Sequence, residues 1–454
     1  MSDNSISISP GPALYKWLEE LLSERFGLDL SITRVGDSAR IAVSNNEGYL
    51  AVPIDLCFYE QKRQLAFCWW DCSCENFKHA VSKMLPVPGR SEFDGPLCQS
   101  EGLNVSVNYD ILGLTFWMLS RLEEVSATRL DNHQRFSADA SHAYQHGYLE
   151  RPVVDEWLFV LGQIITMRWP QAPIKEHAFG VWLSHDVDDP AKYAFKGLPA
   201  LLKLMLIDIG YNHDVKAALV APLVRATMKD AIPQRDPYNT FNWIMTQSEQ
   251  LGLVSSFYFI CGVTDVAKDA DYNIDHPAIR ELLRSIHRRG HEIGLHPSYQ
   301  CYLDPDALAR EANALKRVCE QECIAQDQWG GRMHYLRWRQ PETMRAWEAA
   351  NMGYDSTLGY ADMPGFRCGT CFEYTGIDPI THTSLNLRIR PLIAMECTVL
   401  FKRYLGLSAD AAQEKLIQLK DTCKKVNGRF SLLWHNSLLA TDTHRRIYKT
   451  VVES

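Results

Sequence analysis

The segment Ser184-His185-Asp186-Val187-Asp188-Asp189 sets three carboxylates within four positions, at the end of the short apolar run 180–184. Crowded acids repel one another unless a cation or a base role organises them. Asp188, paired with a histidine from a later strand end, would make a site for a divalent ion such as zinc. The plainer alternative is an Asx-turn with solvated acids. His296 closes another short apolar run, in Gly290-His291-Glu292-Ile293-Gly294-Leu295-His296-Pro297. A lone histidine is more often structural than a ligand, but this one has company. Asp186, Asp188, His296, Arg332, His334 and His435 all fall at or near the ends of strand-like runs. That recurrence, more than any single residue, points to an enzyme.

Six such groups need a scaffold that gathers strand ends. From Phe179 onward strands and helices alternate. The run 240–251 reads as a helix closed by Gly252, followed by a strand over 253–260. Ile279, Leu282, Leu283 and Ile286 have the i, i+3, i+4, i+7 spacing of a helix, stopped by Gly290 before a strand at 292–295. Asp304 reads as an N-cap, with Pro305 at the first helical position, for a helix running through Cys319. Strands are expected near 332–336, 354–358, 387–395 and 430–434, with helices from Pro341 to Gly353 and over 409–426. The count is about seven strands. Repeated βα units imply a parallel sheet, doubly wound or closed into a barrel, and in a barrel chemistry gathers at the C-terminal strand ends.

Upstream the pattern is mixed. A helix is expected over 13–26, short strands at 30–35 and 41–43, and helices over 111–125 and 152–167, with a polar, irregular stretch at 129–147. No catalytic constellation stands out there. Residues 195–235 interrupt the first βα unit with a helix-forming insertion. We read it as packing on the barrel or on a twin subunit rather than as a lid or membrane-touching flap, because its basic residues are few and partly balanced by acids.

SHDVDD followed by RGHEIGLHPS resembles the first two motifs of the polysaccharide deacetylases, metal-dependent enzymes that remove N- or O-acetyl groups from sugars. LLWHN, which carries His435 and Asn436, resembles the last motif of that family. The resemblance covers about residues 178–440. It implies an α/β fold with a distorted seven-stranded (β/α) barrel. It also implies Asp186 as general base, Asp188 and His296 as metal ligands, and His435 as general acid. The family places a second metal histidine four residues after the first, where this chain has Gln300. His334 is the expected replacement. For the family's arginine motif, Arg332 is preferred to Arg339 on loop length, and Arg367 in the loop 365–369 is expected to shape the substrate site. The HDVD spelling is similar to a divergent branch with an N-terminal domain of unknown function, whose end residues 135–157 resemble. A smaller α+β domain over 1–175 and a barrel over 176–454 are therefore expected.

Composition narrows the partners. The 454 residues carry 47 Lys and Arg against 55 Asp and Glu, a net charge of −8 with pI near 6.0, which argues against a general nucleic-acid binder. The start of the chain shows no secretory pattern, and the apolar runs 157–167 and 201–209 are too short or interrupted to cross a bilayer. The 13 cysteines are expected to be reduced, mostly buried thiols, and neither Cys68, Cys72 and Cys74 nor the pair Cys368 and Cys371 makes up a zinc ligand set. The resemblance to the deacetylases implies a metal-dependent enzyme of that kind, expected in the cytoplasm and expected to use zinc in preference to manganese or cobalt. Its substrate would be an acetylated sugar or glycan precursor, and homo-oligomerisation is left open. Two rivals are a metal-dependent hydrolase of a non-sugar amide or ester, and a degenerate carbohydrate-binding barrel, the latter motivated by Gln300.

Overall fold

The computed structural model describes residues 10–61, 64–211 and 213–454. Seven strands precede the helix that starts at Ile111. These are β1 (Leu30–Val35), β2 (Ser38–Val43), β3 (Leu50–Pro53), β4 (Phe67–Asp71), β5 (Met84–Pro88), β6 (Cys98–Glu101) and β7 (Asn104–Val107). β1, β2, β3, β7 and β6 form one sheet in that order, and β4 pairs with β5 alone. Helix Pro12–Phe26 covers the sheet with Leu14, Trp17, Leu18 and Leu22, and Gly27 ends it by taking the left-handed conformation. The helix expected over 111–125 stops at Leu119, because Arg121 adopts φ 53° and turns the chain.

The strands after Phe179 are β8 (Gly180–Val187), β9 (Ser255–Phe259), β10 (Glu292–Leu295), β11 (Gly330–Gly331), β12 (Tyr354–Asp355), β13 (Tyr374–Ile377), β14 (Ser384–Ile389), β15 (Ala394–Met395) and β16 (Arg429–Leu433). Their order is β13-β14-β12-β11-β10-β9-β8-β16-β15. Every pairing is parallel except that of β13 with β14 at one edge. Where about seven strands are expected, nine form among the described residues. One reason is that the single strand expected over 387–395 is two, β14 and β15, placed near opposite ends of the order. Four residues join them and can reach at most about 17 Å at the rise of an extended chain. The sheet must therefore curl until its ends nearly meet. The link itself crosses the seam, since Arg390 N–H donates to Asp355 O on β12 (2.8 Å) and Ile393 N–H to Ser431 O on β16 (3.3 Å).

The strand expected at 332–336 is instead the two-residue β11 followed by a turn, in which Tyr335 and Leu336 take φ 61° and 54°. Gly331 is obligatory there, because a Cβ would sit 1.8 Å from Leu295 O. No helix among the described residues is long and apolar enough to cross a membrane.

A buried charge network joins the first 175 residues to the curled sheet. Arg121 donates to Glu124 (2.8 Å), to Glu123 (2.5 Å) and to the Tyr360 hydroxyl (3.2 Å), and Arg367 donates to both oxygens of Glu124. Two cations thus face two anions with almost no solvent. Glu124→Ala leaves two guanidiniums sharing one carboxylate, and unfolding stability should fall by about 3–5 kcal/mol. Denaturant titration of the full chain checks it.

A second prediction concerns pH. Asp110 caps helix Ile111–Leu119 by accepting from Gly113 N–H (2.6 Å) and also accepts from Asp55 N–H (2.8 Å), yet burial pushes its carboxyl up to about 7. Below pH ~4 the group is protonated in both folded and unfolded chains, and its contribution is complete. As pH rises through 7 that contribution is lost, because the unfolded chain ionises more easily. Asp110→Asn keeps an acceptor for the cap and should gain on wild type from about pH 4 to 7, by on the order of 1 kcal/mol per pH unit, and hold that gain level above 7. Denaturation midpoints across that range test the sign.

Candidate metal centre

Side chains alternate along a strand, so residues two apart share a face. On β8 this rule sends His185 away from the cleft, where its ring bonds to Trp434 O (2.7 Å) and Ser255 Oγ (3.2 Å). Ser184, Asp186 and Asp188 face the other way. The spacing of HDVD therefore places both carboxylates at the mouth of the curled sheet, where β10 delivers His296 and the turn after β11 delivers His334.

These groups converge. His296 Nε2 lies 3.2 Å from Asp188 Oδ1 and 3.7 Å from Asp186 Oδ2, and His334 Nε2 lies 3.7 Å from Asp188 Oδ1. Asp188 Oδ1 is buried and accepts no hydrogen bond. Both imidazoles are anchored at the far nitrogen, His296 Nδ1 to Arg332 O (2.6 Å) and His334 Nδ1 to Asp269 Oδ1 (3.1 Å). Each Nδ1 then carries the proton, and each Nε2 offers a lone pair toward the same carboxylate. Asp188, His296 and His334 could hold a metal ion, their ligand atoms lying within 4.8 Å of one another.

Charge supports the fit. Asp186, Asp188, Asp269 and Glu396 surround the cluster, with the buried Arg332 as the fixed cation among them. Burial works against ionised Asp188, but His334, His296 and His435 outweigh it and hold its carboxyl well below the usual range. Burial likewise opposes protonated His296, and Asp186 and Asp188 outweigh that to raise its pKa. The centre calls for positive charge, which a proton or a metal can supply.

Two pairs flank the cluster. Arg332 Nη1 donates to Asp186 Oδ1 (2.8 Å), while its remaining donors reach Ser184 Oγ (2.8 Å), Ser356 O (2.9 Å) and Ser356 Oγ (3.0 Å). His435 Nδ1 lies 2.5 Å from Glu396 Oε1, and its Nε2 lies 3.6 Å from Asp188 Oδ2. Burial disfavours the His435 imidazolium, but Glu396 overcomes it and lifts the pKa well above the ordinary histidine value. Glu396, Cys397 and His435 are themselves close enough to share an ion, although Glu396 Oε1 is already engaged by the His435 ring.

The remaining sequence candidates lie elsewhere. Gln300 Oε1 accepts from Arg337 Nη1 (3.0 Å) and lines no part of the cleft. Arg339 and Arg367 are also outside the lining, Arg367 being bound to Glu124 and to Gly359 O (2.8 Å). Three residues close to the site went unread. Asp269 is buried and accepts backbone N–H groups from Thr264, Asp265 and Tyr299 (2.7–2.8 Å). Burial opposes its charge, but the His334 ring and those N–H groups bring its pKa to about 2. Glu396 had a usable signal, because it follows directly the expected end of a strand at Met395. Arg135 comes from the stretch thought irrelevant to chemistry, yet it lines the cleft and donates to Tyr335 O (2.7 Å). The cleft holds about 200 Å³, with Tyr335, Phe401, Arg403 and Tyr404 along its rim.

Residues 13–170 match the model of a family of unknown function, DUF7033. No curated protein matches the chain. Among solved structures, a protein from Mycobacterium smegmatis assigned as a polysaccharide deacetylase is similar at TM-score 0.38 and 16% identity, over 62% of this chain and 84% of that one. Puue allantoinase is similar at TM-score 0.37 and 10% identity, over 61% of this chain and 84% of its own.

Arg332 and Asp186 should be strongly coupled. Arg332→Met strands a buried carboxylate and should cost about 3–5 kcal/mol, whereas adding Asp186→Asn should restore about 1–3 kcal/mol of it. A double-mutant cycle by urea denaturation measures this, and additive losses would rule the coupling out.

Proposed function

We propose that the cleft is the active site of a metal-dependent hydrolase that releases acetate from an acetylated sugar or glycan precursor. One observation carries the reading: two imidazoles, each tied at Nδ1 to an oxygen acceptor, present Nε2 to the same unpartnered oxygen of Asp188. Asp188, His296 and His334 are the ligands, and their mixture of imidazole and carboxylate suits zinc first, then manganese or cobalt. An ion held by these three residues would supply Lewis acidity, lowering the pKa of a water from ~15.7 toward ~7 and offsetting negative charge that develops on oxygen.

The chain's own residues handle the protons. Arg332 holds Asp186 by Oδ1, leaving Oδ2 to take a proton from the attacking water. Glu396 accepts from His435 Nδ1 and favours the imidazolium, whose Nε2–H can be given to the leaving amine or alcohol. Tyr335, Phe401 and Tyr404 offer aromatic faces on which a sugar ring can lie. The motifs SHDVDD, GHEIGLH and LLWHN support the choice of an acetylated sugar over other amides.

Full-length protein purified without chelator should bind zinc, manganese or cobalt, and Asp188→Asn should lose the metal without unfolding. Asp186→Asn should keep the metal and lose about 10²–10⁴-fold in turnover. His435→Ala should slow amide substrates more than activated esters, because a poor leaving group needs the proton most. Asp269→Asn, through its loosened hold on His334, should weaken metal affinity by about 10–100-fold. Metal analysis and acetate release from a panel of acetamido sugars decide among the readings. A chain that binds none of the three metals sinks the proposal. Cleavage of non-sugar amides alone moves it to that substrate class. Metal loss in Asp186→Asn but not in Asp188→Asn reverses the two roles.

A further inference from the structure

The insertion between β8 and β9 turns one face to the core and leaves another open. Helices Leu198–Gly210 and Val215–Thr227 pair with each other, bury Leu201, Ala221 and Val224 in the main core, and leave their outer faces bare. Of the 21 large apolar side chains exposed anywhere among the described residues, nine lie between 198 and 223. They are not scattered. Leu198, Leu202, Leu206 and Ile209 follow one stripe of the first helix, and Leu219 and Leu223 follow one stripe of the second. Leu206 is 71% exposed and Leu219 75%. Exposed apolar side chains recurring at helical spacing on two paired helices depart from the single, scattered apolar residues of an ordinary soluble surface.

Charge says what covers it. Lys203, Lys216, Arg225, Lys229 and Arg235 are exposed within or just after the hairpin, against four acids, Asp208, Asp214, Asp230 and Asp236, the last buried against the N–H groups of Lys192 and Tyr193. Asp208 is spent inside, bound to Lys192 (2.5 Å) and to the Tyr193 hydroxyl (2.6 Å). The hairpin is thus a basic island on a chain of net charge −8. A second copy would bring the same positive charges face to face, whereas an anionic lipid surface is complementary to both the apolar stripes and the lysines. Each helix has 13 residues and rises about 20 Å, too short to span a bilayer and suited to lying in its interface.

We propose that the hairpin 198–227 docks the protein on an anionic lipid surface, its leucine stripes sunk among the headgroups. The base of the hairpin is fixed to the segment that leaves Asp188. Lys192 and Tyr193 grip Asp208, Arg225 donates to Lys196 O (3.1 Å), and Lys196 Nζ reaches Asp189 (3.0 Å). Docking is therefore linked, through these contacts, to the segment that carries Asp188. This inference stands apart from the chemistry in the cleft and can fail without it.

The test is co-sedimentation of the full chain with vesicles of phosphatidylcholine alone and of phosphatidylcholine with phosphatidylglycerol, beside light scattering in free solution. Wild type should bind the anionic vesicles at least tenfold better than the neutral ones. Leu202→Ser/Leu206→Ser/Leu219→Ser, at exposed positions the core does not need, should lose that binding while keeping its circular dichroism and thermal midpoint. Lys203→Glu/Lys216→Glu/Lys229→Glu should lose the preference for anionic lipid. Absence of vesicle binding by wild type overturns the proposal. So does equal binding by the serine variant, or a wild-type dimer that the serine variant dissolves while neither binds vesicles.

Discussion

The site depends on one buried guanidinium. Arg332 follows the two-residue strand β11, and its N–H pairs with Leu295 O (3.0 Å) on β10 while its carbonyl accepts from His296. Its side chain crosses to Ser184 and Asp186 on β8 and to Ser356 beyond β12. One residue thereby ties four strands together at the level where the acids and imidazoles emerge. A lysine could not do this, because its single ammonium lacks the planar fork that reaches two strands at once. The arrangement also explains why Gly331 precedes it: β11 must press against β10 for the fork to reach β8, and only a residue without Cβ allows that approach.

Around that anchor the negative groups are divided by what holds them. Asp186 is held by a cation, Asp269 by backbone N–H groups and a ring, and Glu396 by the ring and N–H of His435. Two buried oxygens among them lack a donor, Asp188 Oδ1 and Glu396 Oε2, and only toward the first do two imidazole Nε2 atoms converge. In a buried setting an unmet acceptor is costly, so the meeting of an unmet oxygen with two imidazole nitrogens at Asp188 locates the place for a cation more sharply than the mere gathering of acids does.

Much of this was legible in the sequence because strand ends leave a strong local mark. Six residues chosen at or near the ends of apolar runs prove to be neighbours in space. Asp269 left no such mark, since it lies in a turn far from any motif and matters only through a ring that arrives 65 positions later. The strand at 387–395 was misread for a physical reason: its apolar pattern continues smoothly through a link that leaves one end of the sheet and joins the other. The bare outer face of the hairpin left no mark, because periodicity reports that a helix has an apolar face and is silent on whether anything lies against it. Arg135 was missed because the polar, irregular stretch 129–147 gave no sign that its chain runs along the rim of the cleft.

The four-residue link between β14 and β15 has a mechanical meaning. A ring of strands closed by a ladder of hydrogen bonds can unzip or slip by a register, but one closed by a short covalent strap cannot. Its circumference is set by chain length. Glu396 lies three residues beyond that strap, directly after β15, and grips the His435 ring, whereas Asp188, His296 and His334 hang from strands and turns away from it. A residue inserted between 389 and 394 would let out the hoop and tilt His435 while leaving the Asp188 cluster in place. Topology has thus separated two adjustments that side-chain chemistry alone would entangle: the strap positions the proton donor, and the remaining strands position the cation.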